Sequence, residues 1–126
     1  MDNTKEQRLE NVNAWIKCIS SCGRGFFNHK GSQAYLELDN RGRVWFIDDY
    51  SQKRIYTHYT GRWSGFSHGG SLKSIISSLK DHIINNTKLN HNYFSNDGIF
   101  PNPWGYGDDI LIVLKRGIEL DIIREP

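Results

Sequence analysis

Leu9, Val12, Ile16 and Ile19 recur at intervals of three and four residues, with Trp15 beside them, so one face of an α-helix over about residues 4–21 is apolar. Thr4, followed three residues later by Gln7, resembles a capping box at its start, and Gly23 supplies a stop. Residues 23–33 hold three glycines around Phe26 and Phe27, the pattern of a loop that tucks one aromatic ring inward. At Ala34 the period drops to two. Leu36 and Leu38 alternate with Tyr35 and Glu37 up to Asp39-Asn40-Arg41-Gly42, which suits a type I turn closed by a glycine in the left-handed region. That turn pairs Asp39 with Arg43 and Glu37 with Trp45. The register puts Leu36, Leu38, Val44 and Phe46 on one face, and Tyr35, Glu37, Arg43, Trp45 and Ile47 on the other. After a second turn over Asp48 to Lys53, a third strand is expected from Arg54 to Thr60, with Ile55, Thr57 and Tyr59 alternating with Arg54, Tyr56 and His58.

A loop with four glycines, Gly61 to Gly70, leads to Ser71 as the cap of a second helix, whose stripe is Leu72, Ile75, Ile76, Leu79 and Ile83 and whose end is Asn85-Asn86. Residues 87–107 read as a long irregular segment with Pro101, Pro103 and the cluster Trp104-Gly105-Tyr106-Gly107, a length that is often functional in a compact domain. Asp108 is placed as the cap of a third helix carrying Ile110, Leu111, Val113 and Leu114. Gly117 ends it, and Ile118 to Ile123 form a short extra strand. The expected fold is α+β, a three-stranded antiparallel meander packed with about three helices, in one domain over residues 1–126.

Composition narrows the class of protein. A chain of 126 residues buries roughly two thirds of its unfolded surface, so a core forms without disulfides or metals. Aromatic residues reach 13%, enough for such a core despite a mean hydropathy of −0.61. Sixteen Lys and Arg against 14 Asp and Glu leave a net charge of +2, too small to demand nucleic acid as partner. No apolar run approaches the roughly 18 residues of a membrane span, and MDNTKEQRLE has no apolar leader segment. A soluble, cytoplasmic protein is expected. Cys18 and Cys22 lie one helical turn apart without further ligands at zinc-finger spacing, and read as two small apolar residues in a reducing compartment.

Several motifs carry potential chemistry. Gly65-Phe66-Ser67-His68-Gly69 matches G-x-S-x-G between a strand and a helix, but three antiparallel strands cannot supply the parallel sheet of that hydrolase fold, so the stretch reads as a glycine-rich turn. Gly69, Gly70 and Ser71 open a helix whose free N–H groups would suit an anion, helped by Arg62 and His68, but the stretch reads first as a simply capped helix. The five histidines, His29, His58, His68, His82 and His91, show no metal-ligand spacing on any one element. Asp48-Asp49 and Asp108-Asp109 sit at element boundaries, where Asp49 suits a turn and the second pair a helix start. Asp48, Asp49, Lys53 and His58 form the strongest enzyme candidate. The balance of these readings is a protein without catalytic residues, metal or cofactor.

The face carrying Tyr35, Trp45, Ile47 and Tyr56 among Arg43 and Arg54 is either covered by another element or an exposed platform. Exposed, it suits a protein partner, since interfaces concentrate Trp, Tyr and Arg; the alternative is a nucleic-acid partner, whose bases stack on the rings. The candidate partner-binding residues are Arg43, Trp45, Arg54, Tyr56, Arg62, Trp63, Trp104 and Tyr106. Trp63 and Trp104 lie in glycine-rich segments, where a tryptophan is either a plug over the core or an exposed anchor.

The strings RGRVWFIDDYSQKRIYTHY, WSGFSHGGSL and WGYGDDI resemble those of small uncharacterised proteins encoded by bacteriophages and prophages, over about residues 23–117. That resemblance implies a context and no catalytic residue set. Small phage accessory proteins often bind host machinery, including defence systems such as CRISPR effectors, so inhibition or redirection of a host protein is the implied role, and a host protein the implied partner.

Overall fold

The structure, a computed structural model, describes residues 4–22, 27–68, 70–90 and 108–124, without the side chains of residues 70–71 and 108–110. The expected features at Gly23, Phe26, Gly69, His91, Pro101, Pro103, Trp104 and Tyr106, and the caps assigned to the side chains of Ser71 and Asp108, lie outside that description.

Helix α1 spans Lys5–Ser20 and buries Val12, Trp15, Ile16 and Ile19, as the spacing predicts. Thr4 Oγ1 accepts the Gln7 N–H at 3.1 Å, but the Gln7 amide donates to Asn11 instead of returning to Thr4, so half of the capping box forms. Phe27 is the ring tucked into the core, 1% exposed. It leads into a small hairpin that the periodicity did not announce, β1 (Asn28–His29) with β2 (Ser32–Gln33). Lys30 and Gly31, at φ 51° and 89°, make its two-residue turn.

Strands β3 (Tyr35–Leu38), β4 (Val44–Ile47) and β5 (Arg54–Tyr56) form the antiparallel meander in the order β3-β4-β5. The register is the one that the turn dictates: Tyr35 opposite Ile47, Leu36 opposite Phe46, Glu37 opposite Trp45 and Leu38 opposite Val44. Gly42 has φ 76°, and its N–H donates to Asp39 O at 3.0 Å. A Cβ at Gly42 would meet only the Lys5 ammonium, at 3.4 Å, so backbone strain alone should set the effect of a substitution there. Gly42→Val is expected to cost about 1–2 kcal/mol, read as a lower denaturant midpoint.

The third strand is shorter than expected. Where the ladder would continue, Thr57 Oγ1 donates to Val44 O at 2.6 Å and His58 Nε2 accepts the Val44 N–H at 3.0 Å. The Thr57 N–H still reaches Val44 O, at a long 3.4 Å, but side chains take the shorter bonds to Val44, and Tyr59 ends up exposed instead of alternating into the core.

Helix α2 covers Gly70–Asn85 and buries its whole expected stripe, with Asn86 beyond it at φ 58°. After β6 (Leu89–Asn90), helix α3 runs over Asp108–Glu119 and passes through Gly117 instead of stopping there. The stop lies four residues on, at Asp121 with φ 62°: Ile122 N–H donates to Gly117 O at 2.9 Å and Asp121 N–H to Ile118 O at 3.0 Å, a Schellman closure. Gly117 serves packing, since a Cβ there would overlap the Ile123 Cδ1 methyl. The expected terminal strand is reduced to β7 (Ile123–Arg124), which pairs in parallel with β6.

The architecture is α+β, with α1 at its centre, touching β3, α2 and α3. Asn13 of α1 clamps the free edge of β3: its amide donates to Leu36 O at 2.9 Å and its carbonyl accepts the Leu36 N–H at 2.7 Å. One helix side chain thus substitutes for a missing strand neighbour. Leu36, Val44 and Phe46 are buried and Leu38 is half-buried against the same core. The opposite face of the meander is thereby turned away from α1. No helix among the described residues is long and apolar enough to cross a membrane.

Candidate functional site

The β3–β5 register sets Trp45 beside Tyr56 and Ile47 beside Arg54 on the outward face. The two rings lie 5.0 Å apart, the Arg54 guanidinium sits 4.0 Å above Trp45, and the Arg43 guanidinium lies 5.8 Å from the Tyr56 ring. Tyr56 in turn stacks on His58 at 5.3 Å. The Trp45 indole N–H donates to Asp39 Oδ2 at 2.9 Å, and Asp39 Oδ1 accepts the N–H groups of Arg41 and Arg43. These bonds, the indole one foremost, hold the Asp39 carboxyl down at about 2. Arg54 also reaches Glu37 at 3.3 Å, an exposed pair that adds little stability. Tyr35, Arg43 and Arg54 are exposed, while Trp45, Ile47 and Tyr56 are half-buried.

Of the candidate partner-binding residues, Arg43, Trp45, Arg54 and Tyr56 therefore come together on one surface. Arg62 is exposed in the following loop. Trp63 is not an anchor: it is 6% exposed, donates to Tyr59 O at 2.8 Å, packs edge-on against Phe66 and lies under the Lys73 ammonium. It is the plug over the core. Its glycine neighbours do not leave it bare, because Phe66 and the stem of Lys73 cover it.

The histidine on this surface carries a pH signature. Burial pushes the His58 pKa below its ordinary value, the Lys80 and Arg43 charges push the same way, and Asp39 and Asp81 oppose them. The folded state thus favours the neutral ring, whose Nε2 must be free of a proton to accept the Val44 N–H. The stability from this group is complete above its unfolded value near 6.5 and drains away as pH falls below it. His82, buried and likewise depressed chiefly by burial, adds a loss of the same sign. The denaturant midpoint is expected to fall between pH 7.5 and 5.5, and to fall less in His58→Gln, whose side-chain carbonyl accepts the bond at either pH.

A second site lies on the other side of the β4–β5 turn. Asp48, not Asp49, organises that turn: Oδ2 accepts the N–H groups of Tyr50 and Ser51, and Oδ1 accepts both N–H and hydroxyl of Ser67, at 2.8–3.0 Å. Burial raises the Asp48 pKa, but these donors outweigh it, so the net shift is downward. Asp49 Oδ1 meets His68 Nε2 at 2.5 Å. The expected grouping of Asp48, Asp49, Lys53 and His58 is thus corrected: His58 is committed to Val44 and Tyr56, the Lys53 stem lies against Gly65, and His68 joins the acids instead. Ser67 Oγ donates to the Asp48 carboxylate, and no histidine is bonded to that hydroxyl among the described residues, so the Ser–His pair that a nucleophile elbow uses is not formed there. A cavity of about 510 Å³ opens here, with Phe27, His29, Asp49, Tyr50, Phe66 and His68 in its wall. Cys18 on α1 and Cys22 just beyond its end form no disulfide with each other, the Cys22 thiol lies 3.3 Å from Cys18 O, and burial raises the Cys18 pKa.

These features define a small α+β domain with an open aromatic–arginine sheet face and a separate acid–histidine cavity. A family model described as YoqU matches residues 2–123, and the chain belongs to that family. It is similar to a protein of Bacillus subtilis (strain 168) described as SPbeta prophage-derived uncharacterized protein YoqU, 30% identical over 80 residues, which are 62% of this chain and 58% of that protein. The match thus spans less than two thirds of that relative's length. The resemblance to prophage-encoded proteins is borne out by both findings. No solved structure matches this chain.

Proposed function

We propose that this chain is a non-enzymatic binding protein that inhibits or redirects a host protein through the open face of its meander. Bacterial defence machinery, such as a CRISPR effector, is among the host targets that a prophage context makes reasonable. The observation that carries the reading is the Arg54 guanidinium stacked 4.0 Å above Trp45 on a face where Tyr35, Arg43 and Arg54 stay exposed. Such a surface is ordered before any partner arrives. Its rings and guanidinium groups give contact area and directed hydrogen bonds with little rotamer entropy left to lose. Glu37 and Asp39 on the same surface offset the arginine charge and weigh against nucleic acid, the alternative partner, whose phosphates need uncompensated cations. The test is capture of partners by the tagged chain from bacterial lysate, with and without nuclease. A protein that survives nuclease treatment supports the reading, and recovery of nucleic acid alone overturns it.

A further inference from the structure

Asp48 and Asp49 are buried side by side, 1% and 3% exposed, and neither pairs with a lysine or arginine among the described residues. Adjacent buried carboxylates repel each other and lose their hydration, a cost that calls for positive charge nearby. Asp48 is satisfied by its four donors. Asp49 Oδ1 faces His68, and its second oxygen, which accepts no hydrogen bond among the described residues, is left to the cavity that Asp49 lines. The imidazole of His68 is held in place by the edges of Phe27 and Phe66, each 5.5 Å away. One ligand atom from each of Asp48, Asp49 and His68 lies within 4.8 Å of the others.

We propose that Asp49 and His68, with Asp48 as the third group, form a divalent-metal site that opens into the 510 Å³ cavity. A divalent ion there would place positive charge beside the two carboxylates and bind the Asp49 oxygen that is left to the cavity. Two carboxylates with one imidazole suit Zn²⁺, Mn²⁺ or Fe²⁺ better than Ca²⁺, which prefers an all-oxygen shell. The N–H groups and hydroxyl bonded to Asp48 fix its orientation as supports of a ligand do, and Phe27 and Phe66 do the same for His68. Asp49 and His68 leave coordination positions facing the cavity, where water or a small ligand would complete the shell, while Asp48, whose acceptor sites are taken by its four donors, contributes its charge and comes into the shell only by giving up one of those bonds. This site is independent of the partner-binding face.

The test is calorimetric titration of the chelator-treated full chain with Zn²⁺ and with Mn²⁺. One equivalent per chain is expected, with affinity at least about 10-fold weaker in Asp49→Asn and in His68→Gln. Absence of stoichiometric binding, or equal affinity in both folded variants, overturns the proposal. Should either variant fail to fold, the wild-type chain decides by NMR. Mn²⁺ is expected to broaden the amide signals of residues 48–51 and 65–68 before all others, and broadening centred elsewhere overturns the site.

Discussion

Trp15→Ala is expected to be the most damaging single substitution in this fold, costing about 3–5 kcal/mol. The indole is fully buried where α1, α3 and β7 meet. Its N–H donates to Val113 O at 2.9 Å, inside α3, so truncation leaves both a large cavity and a buried carbonyl that loses a donor. A domain of this size holds only about 5–15 kcal/mol in total, so the variant should approach unfolding at physiological temperature. Urea denaturation checks this. Trp15→Phe separates the two contributions, because it keeps most of the volume and loses only the donor, and should recover more than half of the loss.

Gly117→Val is expected to cost about 2–3 kcal/mol, although valine is a slightly better helix former than glycine. A Cβ at this position overlaps Ile123 Cδ1 and comes within 2.8 Å of Ile123 Cγ1 and 3.1 Å of Trp15 Nε1. Neither neighbour has room to retreat, since Trp15 is fully buried and Ile123 is 2% exposed. The overlap with a single methyl gives the prediction an internal control. Ile123→Val removes that methyl, so in the Gly117→Ala background it should restore part of the stability that it costs in the wild type. Additive effects in that double-mutant cycle would contradict close packing of α3 on β7.

The parts of the fold legible in the sequence are those fixed by local chemistry. Asp39 and Gly42 demand one turn geometry, which sets the register from Tyr35 to Ile47 and hence both faces of the sheet. The stripes of α1 and α2 follow from a helical period that only one face can satisfy. What stayed hidden depends on distant partners. Gly117 reads locally as a stop, and only the approach of Ile123 and Trp15 reveals why it lacks a side chain. His58 stands among strand residues, and its bond to Val44 N–H, 14 residues away, ends the strand instead of extending it. The pairing of Asp49 with His68 spans 19 residues across two turns, and no spacing rule marks it. The adjacency of Asp48-Asp49 to a turn is the available signal; it groups the two acids with His58, whereas the structure sets His68 beside them. Trp63 is the converse: its glycine-rich neighbours leave plug and anchor both open, and only Phe66 and Lys73, from other positions, decide for the plug.

The central claim is that the arginine–aromatic face of the meander binds a host protein. Its most direct test compares the wild-type chain with the Arg43→Ala/Arg54→Ala double variant in nuclease-treated capture from bacterial lysate, alongside the melting temperature of each. Both side chains are exposed, so their loss should cost about 1 kcal/mol or less in stability. The expected result is a host protein held by the wild type and at least about 30-fold more weakly by the variant, the size of a hot-spot loss of about 2 kcal/mol, with the fold intact. Equal capture by the two proteins would place the interface elsewhere and contradict the account.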